Sequence, residues 1–283
     1  MANFHVIGGA TERLAHPTIN KIHTADLIDS LRLGVADFWE KPSHMVLLAL
    51  IYPAVAIVLT VWASGYYTWP LLYPLLGGFA LIGPFAAIGL YEISRRREQG
   101  LDTSWHHAFA VLHSPAIGSI FAVAVLLFVV FTLWLTAAQA LYETLFGAAP
   151  PMTIDVMLQQ ILTTPQGWTL IIVGNLIGLV FAIVTLCTTV VAFPLLLDRD
   201  VGAAAAVETS FRAVIKNPLQ MALWGLIVAI GLVLGSIPLF VGLAVIIPIF
   251  GHATWHLYRK LIEPEVATMP AQRARSTKPG KIA

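Results

Sequence analysis

The chain has 283 residues, 58% hydrophobic and 11% charged, with 16 Lys and Arg against 15 Asp and Glu for a formal charge of +1. Soluble domains carry roughly one-quarter charged residues, so a water-soluble fold of this length could not cover so apolar a surface. The single cysteine, Cys187, excludes a disulfide framework and a thiolate metal cluster.

Charge is also confined along the chain: no Asp, Glu, Lys or Arg occurs in 45–91, 103–142, 156–197 or 217–258. A spanning helix needs about 20 apolar residues, so these runs are the membrane-embedded parts. Turn-like Ser64 to Pro70 and Gly235 to Pro238 split the first and last runs into hairpins, and the middle runs give one span each. The expected architecture is an all-α integral membrane protein with six transmembrane helices.

Residues 1–22 show no apolar core or clear periodicity and read as a cytoplasmic arm without a cleavable signal peptide. From Asp26 to Trp39, Leu27, Ile28, Leu31, Val35, Phe38 and Trp39 make an apolar helical stripe with the acids mostly elsewhere, an interfacial amphipathic helix. Pro42 ends it and starts the first span, 45–64, and the second returns past Gly83-Pro84 to Arg95-Arg96-Arg97.

The same unit recurs twice. Trp105, Ala108, Phe109 and Leu112 form a second stripe before Ser114-Pro115, and Ala204, Val207, Phe211, Val214 and Ile215 a third before Asn217-Pro218. The middle unit carries an outer insertion, 140–167, whose Ile154, Met157, Leu158, Ile161 and Leu162 predict a surface helix. The repeats cover about 25–97, 103–199 and 203–259, parallel copies inside one membrane domain, 23–262, each with a preceding cytoplasmic amphipathic helix. Residues 263–283 read as a disordered basic tail.

All 16 Lys and Arg fall on one side of this arrangement, which the positive-inside rule makes cytoplasmic and which holds both termini. The inner ends of the returning spans share a layout. Arg95 follows Pro84 at the distance that Arg259 follows Pro248, Glu92 matches His256, and Asp198 and His252 each sit four residues after Pro194 and Pro248. Glu92, Arg95, Asp198, His252, His256 and Arg259 are therefore the candidate lining of a vestibule open to the cytoplasm. One reading is proton-sensitive binding of a small molecule or lipid head group; the other is mutual pairing that keeps helices in register.

His252 and His256 are spaced to offer two imidazoles from one helix, but no third ligand is fixed, so no metal or cofactor is expected and they are weak metal candidates at most. No stretch has the spacing of a phosphate-binding loop, a nucleophile elbow or a nucleic-acid module.

Gly83-Pro84-Phe85-Ala86-Ala87-Ile88-Gly89-Leu90-Tyr91-Glu92, Phe193-Pro194-Leu195-Leu196-Leu197-Asp198 and Gly251-His252-Ala253-Thr254-Trp255-His256 resemble the signatures of a bacterial family of predicted integral membrane proteins, domain of unknown function 2189. The resemblance covers about 24–262 and implies no activity. Some members bear the label cytochrome c oxidase subunit I, which needs histidines inside several spans. Here the nine histidines, at 5, 16, 23, 44, 106, 107, 113, 252 and 256, fall on the cytoplasmic side or its boundary, so the label is unsupported.

The expected function is thus non-enzymatic and accessory, in the bacterial inner membrane, with the lipid bilayer, anionic phospholipid or another membrane complex as partner and no nucleic acid. The alternatives are a transporter or small-molecule binding protein using the vestibule, and a haem-binding respiratory subunit.

Overall fold

The computed structural model describes residues 17–40, 54, 57, 58, 61, 69–149, 153–238 and 240–264. Pro42 and nearly all of the expected first span, 45–64, lie outside them. The described chain is helical, and its extended pairing is a single antiparallel bridge between Ile19 and Ile262.

In order, the helices are α1 (Thr24–Glu40), α2 (Trp69–Ala86), α3 (Ile88–Glu98), a 3-10 helix (Trp105–His113), α4 (Ile117–Phe146), α5 (Ile154–Thr163) and α6 (Pro165–Thr189). Then come α7 (Ala192–Asp198), α8 (Ala203–Lys216), α9 (Pro218–Ser236) and α10 (Leu243–Leu261). The expected outer-insertion helix is α5, and the third amphipathic helix is α8.

Among the described residues four helical stretches are long and apolar enough to cross a membrane: Trp69–Glu98, Ile117–Phe146, Pro165–Asp198 and Pro218–Ser236. The first and third are each two helices nearly in line. Pro84 and Pro194 supply no N–H to the ladder and crowd the carbonyl four residues back, and the breaks at Ala87 and at Val190–Val191 lie within four residues of them. Helix α10 has the length of a span, but its second half carries His252, His256, Arg259 and Lys260, and it is not among the four.

Large apolar side chains cover the outside of the long helices: Phe128 on α4, Leu176 and Val180 on α6, and Val233 on α9 are all more than half exposed. In water such a surface would drive association; against acyl chains it is the correct solvent match. Two hydrogen bonds join polar groups of different helices, while Trp69 Nε1 and Thr185 Oγ1 are buried without a partner. Trp134 Nε1 donates to the Pro74 carbonyl at 2.8 Å, and Tyr73 Oη to Asn175 Oδ1 at 2.9 Å.

The amphipathic helices are oriented in a way their stripes did not suggest. In α1 the buried face is Leu27, Ser30, Gly34, Asp37 and Phe38, while Ile28 and Trp39 are 63% and 67% exposed. In α8 the buried face is Ala205, Ala206, Thr209, Ser210 and Ala213, with Phe211 and Ile215 outside. In α8 small residues permit close backbone approach and meet the protein, whereas in α1 Ser30 and Gly34 do so together with the large Leu27 and Phe38. The middle element is a 3-10 helix, with Trp105, Phe109 and Leu112 exposed and Val111 buried.

Helix α1 packs on α10 at its tightest point through Gly34: a Cβ there would lie 2.7 Å from the Cβ and N of Ala253 and from the Ile249 carbonyl. Residues 17–22, expected as the end of a loose arm, are tied down. Asn20 N donates to the Leu261 carbonyl at 2.7 Å and Glu263 N to the Thr18 carbonyl at 3.0 Å. Asn217 stands at the start of α9 with Pro218 in the first turn, as expected, but its side chain does not cap that helix. Its Oδ1 accepts from Ile22 N and its Nδ2 donates to the Asn20 carbonyl, each at 3.0 Å.

Candidate functional site

The polar ends of α1, α3, α7 and α10 meet at one end of the helix set, and each element supplies a charged group. Helix α3 supplies Glu92, Arg95, Arg97 and Glu98; Glu92 and Arg95, three apart, share a side, and Arg97, two residues on, points to a different neighbour. Helix α10 supplies His252, His256 and Arg259 along one face.

Asp37 of α1 is the hub. Its side chain is only 5% exposed, and it pairs with Arg97 Nη1 through Oδ1. Through Oδ2 it meets His256 Nε2 at 2.9 Å and accepts a hydrogen bond from Ser94 Oγ. Ser94 Oγ also contacts His252 Nδ1 at 2.8 Å. A serine has one proton; given to Asp37, it makes Ser94 the acceptor of a proton on His252 Nδ1. Nε2 of the buried His252 then carries the lone pair, and it makes no hydrogen bond.

Burial raises the Asp37 pKa, but the hydrogen bonds from His256 and Ser94 and the charges of the two imidazoles more than offset it. The carboxyl therefore titrates below its ordinary 3.8. Arg97 also reaches Glu40 at 2.6 Å, closing α1 onto α3.

A second cluster joins α3, α7 and α10. Arg259 donates to Glu98 at 2.7 and 3.0 Å and to Asp198 Oδ2 at 3.2 Å, and its guanidinium lies 5.8 Å from the Trp255 ring centroid. Tyr258 Oη donates to the same Asp198 oxygen at 2.6 Å, and Trp255 Nε1 to Glu98 at 3.1 Å.

The third cluster is internal to α3 and reaches α7. Arg95 holds Glu92 through two bonds, at 2.8 and 3.1 Å, and donates to the Leu197 carbonyl at 3.2 Å. Glu92 and Asp198 thus each follow a helix break, at Ala87 and at Val190–Val191. Residues 72–198 match the family model DUF2189, described as a predicted integral membrane protein. The match finds no counterpart among curated proteins or solved structures. The DUF2189 segment holds Glu92, Arg95 and Asp198, whereas Asp37, His252, His256 and Arg259 lie outside it.

The six residues singled out from sequence therefore do not form one set. His252 and His256 share Asp37; Arg259 and Asp198 pair with each other; Glu92 is taken by Arg95 and, at 3.8 Å, by Arg96. No pair of carboxylates faces a nucleophile, and the two imidazoles converge on an acid already bound to an arginine. Asp37, Ser94 and Glu98 were missed. The available signal for Asp37 was its helical register with Ser30 and Gly34, a face of small residues that invites close packing.

Two grooves, of about 480 Å³ beside Pro17, Ile19, Arg212 and Lys216 and about 360 Å³ beside Leu135, Gln139 and Glu143, lie away from these clusters. The charged groups expected to line the vestibule are engaged in ion pairs.

Proposed function

We propose that this is a non-enzymatic accessory protein of the bacterial inner membrane, with both termini cytoplasmic, whose inner rim associates with phospholipid head groups or with another membrane complex. The observation that carries the reading is the large apolar surface that α1 and α8 leave uncovered: Ile28, Trp39, Phe211 and Ile215 face outward. An apolar edge beside a rim holding Arg95, Arg96, Arg97, Arg212 and Lys216 suits the boundary between acyl chains and anionic head groups. The ion-paired clusters serve as a collar that fixes the rim helices to the returning spans. In this reading the chain has six spans, in three related units, with the first and last spans completing the four apolar stretches.

The second reading is a proton-sensitive binding site at the collar, favoured by the linked Asp37, Ser94, His252 and His256. The test is purification in native lipid patches with mass spectrometry of everything retained. Enrichment of anionic phospholipid over the bulk membrane, or one co-purifying membrane complex, supports the accessory reading. A stoichiometric small molecule with unenriched lipid overturns it in favour of the second.

A further inference from the structure

Beyond the collar, the loop joining α3 to the 3-10 helix brings together three side chains of metal-binding type. Gly100 takes φ +68° and reverses the chain after α3, a conformation that favours glycine. The reversed strand is then pinned twice: Leu101 N donates to the Arg96 carbonyl at 2.9 Å, and Arg96 Nε donates to the Asp102 carbonyl at 2.7 Å.

Asp102 is oriented by its neighbours. Ser104 donates to Oδ1 from its backbone N–H at 3.1 Å and from its hydroxyl at 2.8 Å, which leaves Oδ2 directed at His107 Nε2, 3.0 Å away. The Ser104 hydroxyl, with the other hydrogen bonds, holds the Asp102 carboxyl down to about 2, so it is an anion at any working pH. His106 stacks beside His107 with ring centroids 4.2 Å apart.

We propose that Asp102, His106 and His107 form a surface site for a divalent transition-metal ion such as Zn²⁺. One ligand atom from each lies within 4.8 Å of the others. Bonds of about 2.0–2.1 Å in a tetrahedral site place ligand atoms about 3.3 Å apart, a contraction that the exposed His106 and the partly buried His107 reach by small rotations. Two imidazoles and a carboxylate suit zinc, nickel or copper better than calcium or magnesium. The nearest cation, Arg96, is occupied by the Asp102 carbonyl and stands 3.8 Å from Glu92. Three protein ligands leave a coordination position for water or an anion, at a loop beside the exposed Trp105 and Phe109.

The test is calorimetric titration of the tag-free, chelator-stripped full chain with ZnCl₂. The expected result is one ion per chain, weakened at least about tenfold in Asp102→Asn and abolished in the double variant His106→Ala, His107→Ala. Trp105 lies 6.5 Å from His106 by ring centroid, so Cu²⁺ gives a second readout, fluorescence quenching that Trp105→Phe removes. Thermal unfolding of the metal-free variants establishes that they fold. No uptake by the wild-type chain, or undiminished uptake by the folded double variant, overturns the proposal.

Discussion

Asp37 Oδ2 lies 2.9 Å from His256 Nε2, a contact between residues 219 positions apart that fastens the helix before the first charge-free run to α10, the last helix among the described residues. The same carboxylate holds Arg97 and Ser94, so one side chain ties α1 to both α3 and α10. Its removal leaves the His256 imidazole and the Ser94 hydroxyl without their acceptor, and Arg97 with Glu40 alone.

Asp37→Ala is therefore expected to cost on the order of 2–3 kcal/mol, below the 3–5 kcal/mol of a fully buried broken pair because Arg97 keeps access to water. The thermal unfolding midpoint in detergent reads it. A midpoint within error of the wild type would mean that the hub contributes nothing net.

The direction of the Asp37 shift fixes a pH dependence. A carboxyl whose folded pKa lies below its unfolded 3.8 adds stability that is fully present above 3.8 and is lost as pH falls through the folded value. Between pH 6 and pH 3 the wild-type midpoint should fall more than that of Asp37→Asn, the difference opening below about pH 4. Parallel falls in the two proteins would remove Asp37 as the acid-sensitive group.

Two glycine substitutions separate close packing from backbone entropy. Gly34→Ala drives a methyl into Ala253 and the Ile249 carbonyl, with overpacking expected to cost about 1–3 kcal/mol. Gly77→Ala, where a Cβ meets nothing within 4 Å, should stabilise α2 by about 0.5–1 kcal/mol. Denaturation midpoints that move the same way in both variants would contradict the tight α1–α10 contact.

What could be read in the sequence followed from chemistry local to the chain. Charge-free runs marked the apolar helices, Pro218 marked the first turn of α9, and the period of Ile154, Met157, Leu158, Ile161 and Leu162 marked α5. The sides of the amphipathic helices were not legible from hydrophobicity alone. In a membrane the large apolar face is free to face outward, and the small-residue face, Ser30 and Gly34 in α1, does the packing. The partition of the charges was hidden for a related reason. Matching Glu92, Asp198 and His256 by distance from a proline gave their level along the helices, but the partner of each depends on rotation and on α1, whose Asp37 looked like a water-facing acid.

The Thr164-Pro165 start of α6 was also overlooked. Thr164 Oγ1 accepts from Gly167 N at 3.0 Å, a capped entry like those sought elsewhere in the chain. It lay inside a stretch read as an outer insertion, where an apolar helix and a turn overlap in composition.

The most direct measurement of the central claim, that the outward faces of the rim helices rest in lipid, is the quenching of tryptophan fluorescence by phospholipid brominated near the head group. Trp39, 67% exposed on α1, is the reporter, and its contribution is the difference between wild type and Trp39→Phe in otherwise identical bilayers. The account predicts that this difference signal is quenched strongly by shallow bromines and weakly by bromines at the acyl-chain ends. A Trp39 signal that neither label reduces, and that aqueous iodide quenches instead, would contradict it.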